Sequence, residues 1–519
     1  MSYSRSQLLK VSLLPLLLLA VPIACSDDTD DPGPGTGTTG GRTGGTGGKA
    51  TGGTPGSGGK ANPAGGAAGA AAGAAGTPTI GGSNSLGGSA GQGGVAGSAG
   101  MAGSAGMAGG SGGAGGAPVQ VACDADNGGL TLPPGFCALA VADNLGPARH
   151  FAIAPSGDVF VAINNSTDGI TKGKVVALRD TTGNGKLDQR QTFGNEGGNG
   201  IEWRDGYLYF AENTRVVRWA LPNGVLTPSS APEVVVSGLP GTGDHASKSI
   251  VFGPDARLFV NIGSATNSCQ LQNRTLLSPG IDPCPELLTR AGVWRFEPGL
   301  LGQIQTDGLR YGSGLRNTTA LAIRPGTSEL WGVQNGRDQL NENWPGLFSA
   351  TQDQNLPSEA LYLIANGADY GWPYCYHDGG RGNVLAPEYG GNGVDAGRCG
   401  AVPLPKFAFP AHLAPLGMHF YTGDQFPARY QGGLLVAFHG SRFTPNPPGA
   451  LPGYSVMFLP FTNGQPGIAA EMFADGFAGP NRPLPEQAMY RPVGVGEGPD
   501  GSLYVSDDKA GRLWRILHQ

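Results

Sequence analysis

The chain has 519 residues, including 93 glycines and 42 prolines, and a formal net charge of −6 at neutral pH. Its length would hold two or three ordinary domains, but much of the glycine lies before residue 118, so the folded part is shorter. The net negative charge gives no sign of a basic nucleic-acid-binding surface, so a nucleic-acid partner is not expected.

Residues 1–24 have the pattern of a bacterial export signal. Arg5 and Lys10 precede an apolar run that is too short to span a bilayer as a stable helix. The end of this run, VPIAC, resembles a lipobox, with Pro22 where leucine is usual, and predicts a lipid on Cys25. Several acyl chains would anchor the protein stably. We therefore expect an exported, outer-membrane-anchored lipoprotein facing the periplasm or the cell surface; ordinary secretion with an unmodified Cys25 is the alternative.

The segment from the lipidated cysteine to residue 118 is a predicted linker. Beyond residue 27 it consists almost entirely of Gly, Ala, Ser and Thr, which cannot bury enough apolar area to offset the loss of backbone entropy. About 90 such residues would have an r.m.s. span of roughly 50 Å. We expect a disordered tether, with a binding role as the alternative.

Residues 119–519 carry one motif six times, a tight turn of Gly, Asp or Ser followed by an alternating apolar strand. Several copies follow another short apolar run, so the unit is strand, turn, strand. The copies lie at 154–162, 203–212, 253–261, 324–333, 430–438 and 498–508. Repeats of about 40 to 50 residues with four strands each are typical of β-propellers. The prediction is an all-β fold, a six-bladed β-propeller; stacked β-sandwiches would not repeat one turn motif in this way.

The cysteines of this region indicate disulfides. Without Cys25, the chain keeps an even number of cysteines in an exported protein, and they fall into pairs close in sequence. The predicted bonds are Cys123–Cys137, Cys269–Cys284 and Cys375–Cys399. A structural zinc site is the alternative, but no paired C-x-x-C spacing supports it.

Polar and cationic residues recur just before the first strand of each repeat, where the loops of a propeller meet at one end of the central channel. They are Arg149, Asn199, His245, Lys248, Arg316, Asn317 and Arg491, with His439 and Arg442 after the fifth repeat strand. Taken singly, each arginine is more simply explained as a surface or ion-pair residue. Their repeated position in an acidic protein predicts a ligand with several acidic groups.

Four blocks in order resemble the soluble quinoprotein sugar dehydrogenases, most closely the sorbosone and pyranose dehydrogenases. The blocks are YGSGLRNTTALAIRPGTSELWGVQNGRDQLNEN, NGADYGWPYCYHDG, LAPLGMHFYTGDQFPARYQGGLLVAFHGS and RPVGVGEGPDGSLYVSDDKAGRLWRI. The resemblance covers roughly residues 135–518. It implies a six-bladed propeller that binds pyrroloquinoline quinone (PQQ) and Ca²⁺ over the channel mouth and oxidises a sugar or a related aldehyde or alcohol. The carboxylates of this cofactor match the predicted acidic ligand.

The resemblance also implies roles for single residues. His245 would take the proton of a sugar hydroxyl while a hydride passes to the quinone. Arg316 and Asn317 would contact the cofactor on its carboxylate and quinone side, and Arg491 would lie over it. Positions Arg149 and His439 match the sorbosone and pyranose branch.

Calcium is expected at the turn NGRD, through the main-chain oxygens of Gly336 and Arg337, with Asp338 in support. As a Lewis acid it would polarise the quinone oxygen. A second loop, DTTGNGKLD at 180–188, has oxygen ligands at alternate positions, but Gln191 stands where a calcium loop has glutamate. A hairpin turn is an equal alternative there.

Several departures leave the sugar specificity open. Ser264 stands where glucose dehydrogenases have an aspartate, Ala246 replaces a histidine, and Lys248 replaces an arginine. The sequence has no C-x-x-C-H haem motif, so electrons would leave to an external acceptor, a quinone or a cytochrome. Two other functions stay open: a calcium-dependent lactonase-type hydrolase, which needs a cage of carboxylates and asparagines, and a non-catalytic surface-binding propeller.

Overall fold

The computed structural model describes residues 121–166, 169–441, 453–480 and 487–519. The predicted signal peptide, Cys25 and the predicted linker lie outside the described residues, as does Arg442. No helix in the described part of the chain has the length and apolar character needed to cross a bilayer. Strands make up most of the regular secondary structure of the described residues, with two short α-helices, α1 (Leu340–Asn343) and α2 (Ala350–Asn355).

The strands follow one another as the repeat predicts. In chain order they are β1 (Phe136–Ala142), β2 (Ala148–Ile153), β3 (Val159–Ile163), β4 (Lys174–Arg179), β5 (Gln189–Phe193), β6 (Gly198–Arg204), β7 (Tyr207–Glu212), β8 (Val216–Ala220), β9 (Glu233–Ser237), β10 (Ile250–Phe252), β11 (Leu258–Ile262), β12 (Gly292–Phe296), β13 (Gln303–Ile304), β14 (Leu309–Ser313), β15 (Ala320–Ile323), β16 (Leu330–Gln334), β17 (Ser358–Ile364), β18 (Ala368–Asp369), β19 (Cys375–Asp378), β20 (Gly382–Leu385), β21 (Phe407–Ala411), β22 (Pro415–Phe420), β23 (Leu434–Phe438), β24 (Ser455–Leu459), β25 (Phe461–Thr462), β26 (Gln465–Pro466), β27 (Glu471–Ala474), β28 (Pro492–Glu497), β29 (Leu503–Asp507) and β30 (Leu513–His518). Short 3-10 turns occur at Asn127–Gly129, Pro285–Leu288, Gln305–Asp307, Pro387–Tyr389, Gly397–Ala401 and Ala428–Tyr430.

Six sheets form the blades of a propeller. Blade one is β2 to β5, blade two β6 to β9, blade three β10, β11, β12 and β14, blade four β15, β16, β17 and β21, and blade five β22, β23, β24 and β27. Blade six combines β28, β29 and β30 with the N-terminal β1. The first strands β2, β6, β10, β15, β22 and β28 contact one another in that order, and β28 contacts β2, so the ring closes. The predicted six-bladed propeller is confirmed.

The second strand of each blade explains why the repeat reads as a nearly continuous apolar run. In β3, β11, β23 and β29 every residue is buried. A strand that packs against neighbouring blades on both faces has no solvent side, so alternation is lost. Each predicted turn joins the first strand of a blade to this buried second strand.

The three predicted disulfides are confirmed: Cys123–Cys137, Cys269–Cys284 and Cys375–Cys399. The first ties the segment before β1 to β1 itself, and the second closes the long loop between β11 and β12. The third joins β19 to the 3-10 turn at Gly397–Ala401. The sulfurs are therefore bonded to one another and do not form the alternative zinc site.

One side chain reaches into the channel just below its mouth. His150 Nε2, on β2, donates to the carbonyl oxygen of Leu416, on β22, at 2.8 Å. These strands are separated in the ring by β28, so the bond crosses part of the channel. Burial lowers the pKa of His150 to about 4, so the ring is neutral at physiological pH.

Closure of the ring depends on β1, which pairs antiparallel with β30 and brings Phe136 opposite His518. The Phe136 ring packs edge-on against Phe426, Tyr430 and Phe473, with ring centroids 4.8, 5.3 and 5.2 Å away. These three rings belong to blade five and the loop within it. Phe136 therefore links the last two blades through one buried aromatic cluster.

We expect Phe136→Ala to lower the free energy of unfolding by about 3–5 kcal/mol, because a large buried ring leaves a cavity between two blades. Phe136→Leu, which keeps most of the volume, should cost clearly less. Urea unfolding of both variants checks this. Equal losses in the two variants would show that the ring packing is not what holds β1 in place.

Candidate active site

The predicted site residues stand where the strands of the ring begin and end. Antiparallel pairing puts the start of each first strand beside the end of the second, as with Pro492 opposite Asp507. Arg149 and Asn199 lie at the starts of β2 and β6, and His439 directly follows β23. Nearly all of these side chains are buried, although they are polar: Arg149, Asn199, His245, Lys248, Arg316, Asn317 and His439. Arg491 is partly buried.

The hydrogen bonds of His245 determine its tautomer. Its Nδ1 lies 2.9 Å from Ser264 Oγ and 3.0 Å from the Ser264 carbonyl oxygen. Because Ser264 Oγ donates its own hydrogen to the Thr266 carbonyl at 2.6 Å, Nδ1 must be the donor. The lone pair is therefore on Nε2, which is buried and has no hydrogen-bond partner in the described chain.

The surroundings of His245 keep it neutral. Burial is the largest cause that lowers its pKa well below the usual value, and the charges of Arg316 and Arg274 lower it further. A neutral imidazole with a free Nε2 lone pair is the form that accepts a proton. Ser264 thus orients the ring as a carboxylate partner would, but adds no negative charge.

Arg316 is held beside His245 by several acceptors. Its Nε donates to the Asn267 carbonyl oxygen at 3.1 Å, and its Nη2 to Asn267 Oδ1 at 3.1 Å. The carboxylate of Asp338 lies 3.4 Å from Arg316 and 3.3 Å from Arg274. It also lies 3.4 Å from His412 Nδ1.

Asp338 is ionised in this arrangement. Burial alone would raise the pKa of its carboxyl, but His412, Arg274 and Arg316 outweigh burial and hold the pKa far below its usual range. The carboxylate therefore compensates the positive charge beside His245. Its predicted support of a metal ion stays a prediction.

The turn predicted to bind calcium is fixed from both sides. Gly336 donates its main-chain N–H to Glu359 Oε2 at 2.7 Å, and the Arg337 guanidinium pairs with Glu388 at 2.5 Å. Within the described residues, the main-chain oxygens of Gly336 and Arg337 accept no hydrogen bond. Free carbonyl oxygens are ligands that Ca²⁺ takes. The donor set of this turn fits that ion.

A second group of side chains surrounds Arg149. Its Nε donates to Asn199 Oδ1 at 2.8 Å and its Nη1 to Asp508 Oδ2 at 2.7 Å. Asn199 in turn donates to Ser249 Oγ at 2.9 Å. Arg149 Nη2 is buried and has no partner in the described chain.

His439 and Arg491 complete this group. His439 Nε2 donates to Asp508 Oδ1 at 2.8 Å, and the His439 carbonyl oxygen accepts from Arg491 Nε at 3.1 Å. Burial, followed by the charge of Arg491, lowers the pKa of His439 to about 4. This histidine is therefore neutral as well.

Lys248 and Asn317 are engaged inside the protein. Lys248 Nζ donates to the Ala246 carbonyl oxygen, and Asn317 Oδ1 lies 3.5 Å from Asn261 Nδ2. Lys248 precedes β10 and Asn317 precedes β15, just as Asn199 lies at the start of β6. Their predicted contacts with a cofactor stay predictions.

Two buried atoms without hydrogen-bond partners indicate whether the site fits the predicted anionic cofactor. Arg149 Nη2 and His245 Nε2 are two of the nine buried side-chain nitrogen or oxygen atoms without a partner among the described residues, and each such atom is costly. Arg149 Nη2 is a donor on a positive side chain, and His245 Nε2 carries a basic lone pair. Other buried cations lie beside them. The residues present fit an anionic cofactor beside a proton-accepting histidine.

Sequence reasoning did not find Asn267, Arg274, His412 or Asp508 as site residues. The first two lie on the long loop between β11 and β12, which falls outside the repeat. Asp508 lies inside a copy of the repeat, in VSDD, and its position after a second strand is the same as that of His439. An alignment of the residues that directly follow each second strand would have identified Asp508.

The loop at 180–188 joins β4 and β5. Asp180 accepts main-chain N–H groups of Gly183 and Gly185, each at 2.7 Å, and Asp188 accepts that of Thr181 at 2.8 Å. These oxygens stabilise the turn itself, as the hairpin alternative requires.

The family model described as TrAA12-like matches residues 130–519. The chain belongs to the TrAA12-like family. The resemblance to the soluble quinoprotein sugar dehydrogenases is thereby confirmed for the family, over the same part of the chain that carries the propeller.

Solved structures share the fold of this TrAA12-like protein. The calcium structure of the Trichoderma reesei Carbohydrate-Active Enzymes Family AA12 protein superposes with a TM-score of 0.61 at 19% identity, covering 78% of this chain and 100% of that one. The holo form of the pyranose dehydrogenase PQQ domain from Coprinopsis cinerea gives 0.58 at 19% identity, over 75% and 97%. At this identity the likeness shows the fold alone.

A curated relative of this TrAA12-like protein is an uncharacterized protein of Borreliella burgdorferi. It is 26% identical over 213 residues, which are 40% of this chain and 48% of the relative. The chain therefore spans about half the length of that relative.

The buried His439 predicts a pH-dependent stability difference. Its pKa of about 4 lies below the unfolded value near 6.5, so its contribution is present at neutral pH and is lost as the pH falls through this window. Between pH 7 and pH 4.5, the stability advantage of the wild type over His439→Gln should shrink by about 2 kcal/mol. Urea unfolding of both proteins at the two pH values measures this; a constant difference would contradict it.

Proposed function

We propose that this protein is a PQQ- and calcium-dependent dehydrogenase that oxidises a sugar or a related aldehyde or alcohol. The observation that carries the proposal is His245, a neutral imidazole whose buried Nε2 has no partner, beside buried cations at the channel mouth. The family supports it, because one structure with this fold is the PQQ domain of a pyranose dehydrogenase in its holo form.

The chain offers two sets of groups for the cofactor and the ion. Arg149, Arg316 and Arg491 would hold the acidic groups of the cofactor, with Asn317 and Lys248 beside them. The carbonyl oxygens of Gly336 and Arg337 would bind Ca²⁺. When bound, PQQ would supply a hydride acceptor and Ca²⁺ a Lewis acid.

The chain itself would perform the proton transfer. His245 Nε2 takes the proton of the substrate hydroxyl, while the Nδ1–H bond to Ser264 keeps the ring in position. The positive charges of Arg316 and Arg274 destabilise the imidazolium that forms. The proton therefore leaves readily, and the neutral base is restored. The negative charge of Asp338 partly offsets these two positive charges, so the pKa of His245 falls less than the arginines alone would lower it.

The electrons would pass to an external acceptor, a quinone or a cytochrome, since the sequence has no haem motif. The signal segment and the lipid expected on Cys25 would place the enzyme at the outer membrane, facing the periplasm or the cell surface. Ser264 contacts the base, and Ala246 and Lys248 follow it closely in the chain, so we expect these three residues to influence which sugar is oxidised.

A reconstitution experiment tests the proposal. The purified chain, free of cofactor, is titrated with PQQ in the presence and absence of Ca²⁺, and binding is followed by the cofactor's absorbance. Dye reduction is then measured with aldoses, uloses and simple alcohols. Calcium-dependent binding with turnover supports the proposal. Absence of PQQ binding overturns it, and calcium-dependent lactone hydrolysis without PQQ would favour the hydrolase.

His245→Gln separates binding from chemistry. We expect PQQ binding to persist while kcat falls by about 10² to 10⁴, because a proton acceptor is removed from the reaction but not from the cofactor contacts. His518→Gln, on β30, is the matched control and should keep wild-type turnover. Full activity of the His245 variant would exclude it as the base.

A further inference from the structure

The Asp508 side chain bonds to two of the predicted cofactor contacts, and these come from different blades. Its Oδ2 lies 2.7 Å from Arg149 Nη1, and its Oδ1 lies 2.8 Å from His439 Nε2. Its side chain is 6% exposed. Arg149 belongs to blade one and His439 to blade five, while Asp508 follows β29 in blade six, so one carboxylate connects three successive blades.

The bond to Asp508 fixes which nitrogen of Arg149 is free. Nε is used by Asn199 and Nη1 by Asp508, so Nη2 alone remains without a partner in the described chain. A guanidinium held at two nitrogens cannot rotate, and its third nitrogen has a defined direction.

The same carboxylate fixes the tautomer of His439. An ionised carboxylate only accepts, so His439 Nε2 carries the hydrogen and Nδ1 the lone pair. Burial alone would raise the pKa of Asp508, but His439, Arg149 and Arg491 hold it far below its usual range. With His439 neutral, the Nε2–H bond from His439 and the charges of Arg149 and Arg491 keep Asp508 ionised.

We propose that Asp508 is a positioning residue, which orients Arg149 and His439 toward the bound cofactor and does not itself attract it. This inference rests on the proposed function. The Coulomb force between Asp508 and an anionic ligand is repulsive, so a purely electrostatic role would weaken binding. Its benefit to binding must come from geometry.

Asp508→Asn distinguishes the two roles, because they predict opposite signs. The substitution keeps the shape and removes the negative charge, which on charge alone would tighten the binding of an anion. The amide, however, accepts on one side only, and its Nδ2 donor meets a donor of either Arg149 or His439. Loss of position should therefore weaken binding.

The experiment titrates the unloaded full chain and its Asp508→Asn variant with PQQ in the presence of Ca²⁺. We expect the dissociation constant to rise by about tenfold or more, the effect of misdirecting one charge-assisted hydrogen bond. Unchanged or tighter binding overturns the inference. The matched control, Asp500→Asn, removes an ion pair with Arg515 at the other end of blade six and should leave the affinity unchanged.

A second measurement needs no cofactor. The ¹⁵N spectrum of His439 in the unloaded wild type should show hydrogen on Nε2, and in Asp508→Asn a mixture of tautomers. If the variant loses only thermal stability, with its tautomer and affinity unchanged, Asp508 is structural and the inference is wrong. If the wild type itself fails to bind PQQ, the proposed function fails, whereas the tautomer still reports on positioning.

Discussion

The structure depends on the pairing of β1 with β30, which closes the ring of blades. A sixth blade without β1 would present an unpaired edge, and a ring that opens there would lose its fixed spacing. The consequences reach the channel mouth, because the polar side chains gathered there come from every blade. Their distances are set by the ring as a whole, so β1, the outermost strand of its blade, affects the geometry of a site to which it contributes no side chain.

Two carboxylates organise the cationic mouth in the same way. Asp338 lies between an arginine and a histidine, Arg316 and His412, and Asp508 lies between Arg149 and His439. Each is ionised in a buried position because its partners compensate for burial. A buried carboxylate beside these arginines fixes their orientation and reduces the free-energy cost of burying several positive charges together. His245 differs from both histidines, since its partner is the uncharged Ser264.

The sequence predicts the parts of this molecule that repeat. The turn motifs, the six blades and the three disulfides follow from period and spacing, and the residues before the first strands follow from their common register. Arg274 and Asn267 could not be predicted in this way, because they lie on the long β11–β12 loop, and His412 lies in the short connection between β21 and β22, outside the repeated motif. The position of Asp508 after a second strand repeats that of His439, but its two partners come from blades one and five, and no local pattern encodes those contacts.

The bond between His150 and Leu416 affects how ligands can reach the site along the channel. The bond lies between the polar residues at the mouth and a cavity of about 380 Å³, which is lined by later residues of the first strands such as Ile153, Met418 and Glu497. In the proposed oxidation this bond would stand between that cavity and His245, so that sugar and electron acceptor would reach the site in turn from the mouth. Such alternation is a ping-pong order, in which the enzyme is reduced in one half of the cycle and reoxidised in the other.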